Sequence, residues 1–113
     1  MRTLTVAAWT IAAGSLFGAP PALGYFMTGN TIMPDCQAQP APTGACVAYV
    51  VGVIDGMWWG EPNMNCIPDG VTTGQLAQVV AKFLRDHPER LQLNAPVLIA
   101  DAIGGAWPCP PAR

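Results

Sequence analysis

The sequence predicts an all-α fold: a small bundle of three main helices with a short N-terminal helix, held by two disulfides and preceded by an apolar leader. Three observations carry this expectation. Three segments place apolar residues at helical spacing. Thr43, Thr72 and Asn94 stand just ahead of those segments, where a short polar side chain can accept first-turn N–H groups. Four cysteines, Cys36, Cys46, Cys66 and Cys109, all lie downstream of the leader, an even number that favours pairing in an exported chain.

The leader comes first. Arg2 and the amino terminus form a short positive region, residues 4–17 are apolar and uncharged, and Ala22-Leu23-Gly24 offers small residues at both positions that a signal peptidase reads. Cleavage after Gly24 therefore divides the chain into a signal peptide, residues 1–24, and a mature helical domain, residues 25–113. The apolar run is shorter than the ~20 residues needed to cross a bilayer. A second run, residues 45–60, is also too short and carries Asp55, so it belongs to a core, and no membrane span is expected once the signal is removed.

In the mature part, a short helix can run from Asn30 to Cys36, although Pro34 lacks a backbone donor within it. Residues 37–44, with Pro40 and Pro42, read as a loop. Thr43 then caps a first main helix to about Trp59, with Val47, Val50, Val51, Ile54 and Trp58 along one stripe. Its β-branched content would also suit a buried strand, but the run is too long. Ala48, Gly52 and Gly56 recur every four residues as a smooth ridge, which predicts close packing of another helix of the same chain.

Residues 61–70 form a connection. Thr72 with Gln75 makes a capping box, and Val71 with Leu76 makes the accompanying hydrophobic staple, so the second main helix starts at Val71 or Thr72. Leu76, Val79, Val80, Phe83 and Leu84 form its apolar stripe, Gln78, Lys82, Arg85 and Asp86 face water, and Pro88 ends it near Asp86. After a turn over residues 88–93, Asn94 caps a third main helix that buries Leu98, Ile99, Ala102, Ile103 and Ala106 and stops before Pro108, its end weakened by Gly104-Gly105.

The second and third main helices, joined by a short connection, lie antiparallel, which brings Cys66 before one close to Cys109 after the other. Pairing Cys66 with Cys109 leaves Cys36 for Cys46, although sequence alone permits three pairings. The loops so closed would contribute roughly 4 and roughly 3 kcal/mol by chain entropy.

Composition excludes several partners. With 11% charged residues and a net charge of -2, there is no basic patch for nucleic acid or anionic lipid, and the mature chain keeps Lys82, Arg85, Arg90 and Arg113 against seven acids. That acidic excess favours a basic protein partner. The scattered cysteines and the single His87 do not form a metal-ligand set, and no cofactor motif occurs. No Ser/His/Asp, Cys/His or paired-carboxylate set converges, so no catalytic residue is assigned and the chain is not expected to be an enzyme. His87 reads as a helix-end residue, favourably placed at the negative end of the helix.

Thr28-Gly29-Asn30, Cys36, Cys46 followed by Tyr49, Gly52-Val53 and Asp55, the block Cys66-Ile67-Pro68-Asp69-Gly70-Val71-Thr72 with Gln75-Leu76 and Val79-Val80, His87-Pro88-Glu89 and Pro108-Cys109-Pro110 together resemble the Tai/Rap family of type VI secretion immunity proteins. The match spans nearly the whole mature chain, and the Cys66 to Val80 block is its most specific part. Departures are Pro34 inside the short helix, Gly104-Gly105, and Trp107 where Phe is expected. The resemblance implies an all-helical periplasmic protein, often a homodimer, that binds a peptidoglycan amidase effector and occludes its active site. It implies no catalytic residue.

Candidate partner contacts are Asp55 in the apolar first main helix, Trp59 at its end, and Glu61 and Asp69 in the following loop. Tryptophan is enriched in binding hot spots, and the acids suit a basic rim. Trp58 follows the buried stripe. The competing expectation is a periplasmic chaperone of the acid-stress type, but such a protein needs many groups that titrate in acid, and this chain is poor in charge. Intact mass of the exported protein should show a chain starting at Tyr25; a product retaining residues 1–24 would refute the cleavage site.

Overall fold

In the computed structural model, which describes residues 27–58, 60 and 66–111, four α-helices are present: α1 (Gly29–Cys36), α2 (Gly44–Met57), α3 (Thr73–Asp86) and α4 (Ala95–Ala106), with a single 3₁₀ turn at Pro88–Arg90 between α3 and α4. The signal segment and its cleavage site lie outside the described residues. α3 packs against all three other helices, and each of those also touches the remaining two.

The start signals work as side-chain chemistry. Thr72 Oγ1 accepts the Gln75 N–H at 3.1 Å while Gln75 Oε1 accepts the Thr72 N–H at 2.8 Å, the reciprocal box that fixes the start of α3. Just ahead of it Gly70 takes φ +91°, a left-handed turn that a residue with a Cβ would adopt only under strain. Thr43 Oγ1 accepts from Cys46 N at 3.3 Å at the start of α2, and also donates to Asp35 Oδ1 at 2.9 Å, closing the loop back on α1. At α4 the Asn94 side chain makes no capping bond, and Pro96 in the first turn removes one of the donors needing a partner.

The short N-terminal helix begins at Gly29, one residue before the expected Asn30, because its cap is Thr28. Thr28 Oγ1 accepts from Thr31 N at 3.3 Å and Thr31 Oγ1 accepts from Thr28 N at 3.2 Å, a box with threonine in place of the usual Glu or Gln. This end is tied across the molecule. Gly29 N donates to Leu93 O at 3.0 Å, Asn30 N to Leu91 O at 2.8 Å and Ala95 N to Met27 O at 2.8 Å, stitching the chain before α1 to the segment before α4.

The core is apolar throughout: Ile32, Val50, Ile54, Ala77, Val80, Leu84, Leu98, Ile99 and Ile103 lie within it, and no polar or charged residue is buried among the described residues. Burying each Val, Leu or Ile contributes about 1.5–3 kcal/mol before entropy is counted. The Cys36–Cys46 disulfide lies inside this core, and Cys66–Cys109 joins the connection before α3 to the tail after α4, with Cα atoms 5.1 and 5.2 Å apart.

Three packing expectations are corrected. Ala48, Gly52 and Gly56 face solvent instead of another helix of this chain, and a Cβ built on Gly52 or Gly56 would meet nothing within 4 Å. The core side of α2 is taken by Cys46, Val50 and Ile54, which leaves its small residues on the outer side. Trp58 is 39% exposed because α2 ends at Met57 and Trp58 is its cap, beyond the stripe it was expected to continue. Ala106, the last residue of α4, is exposed as well.

The close helix approach occurs at Gly29, where a Cβ would lie 2.7 Å from Leu98 Cδ1 and 2.9 Å from the Leu91 backbone. Opposite effects of one alanine substitution follow. Gly29→Ala should destabilise by about 1–3 kcal/mol through overpacking, whereas Gly52→Ala, in an exposed helix interior, should stabilise by about 0.5–1 kcal/mol. Denaturant unfolding of both variants checks the pair, and equal effects would contradict this packing.

Candidate protein-binding surface

Of the four residues expected to meet a partner, Asp55 projects from the outer side of α2 in a row with Ala48, Gly52 and Gly56, all exposed. Asp69 is exposed in the turn that Gly70 completes before α3. Neither carboxylate has a hydrogen bond or ion pair among the described residues, so both are free to meet an external cation. Trp59 and Glu61 lie outside the described residues. Trp58, the neighbour of Trp59, is itself exposed.

Sequence reasoning missed a second apolar surface. Met27, Leu93 and Val97 are 41, 37 and 47% exposed, and Met27 and Val97 join Tyr49, Asn94 and Pro96 around a cleft of about 270 Å³. It exists because the backbone stitch before α1 and α4 brings residues far apart in sequence beside Tyr49 of α2. No local periodicity signals that. Burial pushes the Tyr49 phenol above its ordinary pKa of 10.

His87 is the cap of α3, as a helix-end histidine should be. Its Nδ1 lies 2.8 Å from Phe83 O, and since a carbonyl only accepts, Nδ1 must carry the proton and donate. The ring stacks on Phe83 with centroids 4.1 Å apart, and the Arg90 guanidinium lies 5.6 Å from the centre of that same phenyl ring. Arg90 also pairs with Asp101 of α4 at 2.6 Å, so this cluster fastens the α3 to α4 connection. All four cysteines are in disulfides, which leaves no thiol beside this histidine. No group of three or more His, Cys, Asp or Glu residues able to hold a metal occurs among the described residues.

On the outer face of α3, Lys82 Nζ donates to Asp86 Oδ2 at 2.7 Å, and this bond, with the positive charge behind it, draws the Asp86 carboxyl below its usual range. The pair is solvent-exposed and contributes little to stability. The surface offers an exposed apolar cleft, two free carboxylates and an accessible tryptophan on a scaffold stapled by two disulfides.

Because a raised phenol pKa favours the neutral form in the folded state, its contribution to stability is present below pH 10 and is lost as pH rises past that value. Ultraviolet titration should therefore show a late tyrosinate transition that Tyr49→Phe removes, and a variant titration unchanged from wild type would contradict the burial of this phenol.

A family model described as Rap1a immunity proteins matches residues 28–109. No curated protein and no solved structure gives a match.

Proposed function

Because the chain belongs to the Rap1a immunity protein family, we propose that it acts in the periplasm by binding a peptidoglycan amidase effector delivered by type VI secretion and blocking its active site. The observation that carries this reading is the extent of the family match, which runs from the Thr28 cap of α1 to Cys109 of the second disulfide and so takes in every described helix. An immunity protein implies a protein partner. The geometry is consistent with that demand: exposed apolar surface at Met27, Leu93, Val97 and Trp58 lies on a framework tied by two disulfides. A rigid framework limits the entropy lost on binding, which is how an inhibitor of modest contact area becomes tight.

The four candidate contacts divide the work by chemistry. Asp55, Glu61 and Asp69 would face basic groups on the effector rim and speed encounter, whereas Trp59, or Trp58 beside it, would fill an apolar pocket and slow dissociation. The acidic excess of the mature chain points in the same direction.

Periplasmic co-expression should protect cells from a type VI peptidoglycan amidase effector, and the purified mature protein should form a complex with it on size-exclusion chromatography. Association should slow as salt rises if the carboxylates steer it. Alanine at a central anchor among Asp55, Trp59, Glu61 and Asp69 should cost at least ~2 kcal/mol in affinity without lowering the melting temperature. Absence of both protection and complex would defeat the reading.

A further inference from the structure

We propose that Arg85, in the cleft between the 37–42 loop and α3, is a carboxylate anchor that receives an acidic side chain of the protein partner; the identity of that partner rests on the function proposed above. Three independent features lead there. The cleft, of about 180 Å³, is lined by Gln37, Gln39, Pro40, Pro42, Gln78 and Arg85 together with small residues, and no acid lines it. Its polar side chains are therefore amides and one guanidinium, a set that can donate to an anion without a carboxylate in the cleft to compete.

The guanidinium is also held in place. Arg85 Nη1 donates to Gln37 Oε1 at 3.0 Å, while Gln37 Nε2 donates to Ala81 O, one turn back on α3, at 2.7 Å. Gln37 in turn follows Cys36, which the core disulfide fixes. This clamp uses one donor of a five-donor fork and orients the rest, so less side-chain entropy is lost when a ligand arrives.

Finally, Arg85 makes no ion pair with a carboxylate among the described residues: the adjacent Asp86, whose carboxyl its charge helps to draw down, is bonded to Lys82. Lys82 has Asp86 and Arg90 has Asp101, but the partner of Arg85 is an uncharged amide. Glu89, four residues on, would be its helical partner had α3 continued; instead α3 ends at Asp86 and Pro88 opens a 3₁₀ turn. A single guanidinium on a chain of net charge -2 suits one carboxylate and opposes a polyanion. Within an otherwise acidic surface, one cation fixes the register of a partner more than it adds attraction.

Two measurements decide the matter. In the mature protein, N-acetyl-aspartate amide at millimolar concentration should shift the Arg85 Nε–H and Gln37 side-chain amide NMR signals, and N-acetyl-lysine amide should not. Arg85→Met should abolish the Gln37 response; no wild-type response would overturn the site. Against the amidase effector of the proposed function, Arg85→Met should weaken binding roughly ten- to hundredfold with an unchanged melting temperature, and Arg85→Lys should recover only part of it, since it keeps the charge without the fork. If wild type and Arg85→Met bind the amidase equally, the partner assignment is wrong while the inhibitor reading stands. If wild type fails to bind at all, the inhibitor reading and the partner assignment fall together, and the aspartate titration alone decides whether the site exists.

Discussion

The other three helices all rest on α3, and the fold depends on the buried stripe that makes this possible. Ala77, Val80 and Leu84 are fully enclosed, with Leu76 and Ala81 at the margin. The two alanines matter as much as the larger residues, because they let neighbouring helices approach while Val80 and Leu84 fill the space between. A helix with one such face would be marginal alone. Its capping box, its proline-limited end and the disulfide just before it all act to keep that stripe in register with α1, α2 and α4.

A core without a single buried polar or charged group among the described residues gains nothing from ion pairs and has no desolvated charge to compensate. The Lys82–Asp86 and Arg90–Asp101 pairs are at the surface, where solvent weakens them. In a helical domain this small, burial alone leaves a small margin. The disulfides supply the difference by restricting the unfolded chain, and they act at two distinct levels: Cys36–Cys46 is part of the core, whereas Cys66–Cys109 closes the open end of the α3 to α4 hairpin. Disulfides of this kind persist in oxidising compartments, and here they compensate for a small core.

Much of this was legible in the sequence because it is local. Thr43 and Thr72 mark helix starts through bonds that reach only three residues ahead, and Pro88 ends α3 through its own ring. The helical pairing of Cys66 with Cys109 followed from one antiparallel hairpin. What escaped is what depends on three-dimensional assembly. The Ala48, Gly52 and Gly56 ridge has a spacing that suits helix packing, yet which side of α2 meets the core is decided by where α1, α3 and α4 stand, and a pattern within α2 alone does not contain that information. Gly29 is the converse case: it carries the tight contact, but its partners Leu91 and Leu98 lie more than a helix away in the chain.

The candidate surface divides in the same way. Asp55 and Asp69 were recognisable as exposed acids from their local setting, whereas the Met27, Tyr49 and Val97 cleft and the Arg85 clamp arise only when separate segments meet. For a member of an immunity protein family, this distinction has a physical consequence. Local features such as caps and stripes are shared by any chain that must build this bundle, so they encode the fold and cannot encode the choice of partner. Discrimination has to come from groups that the fold brings together but does not use. Arg90 and Lys82 are consumed by Asp101 and Asp86, and the core consumes the aliphatic residues; the free carboxylates of Asp55 and Asp69, the exposed Trp58 and the amide-held guanidinium of Arg85 are left over from folding, and it is in such uncommitted groups that specificity for one effector over another can be written.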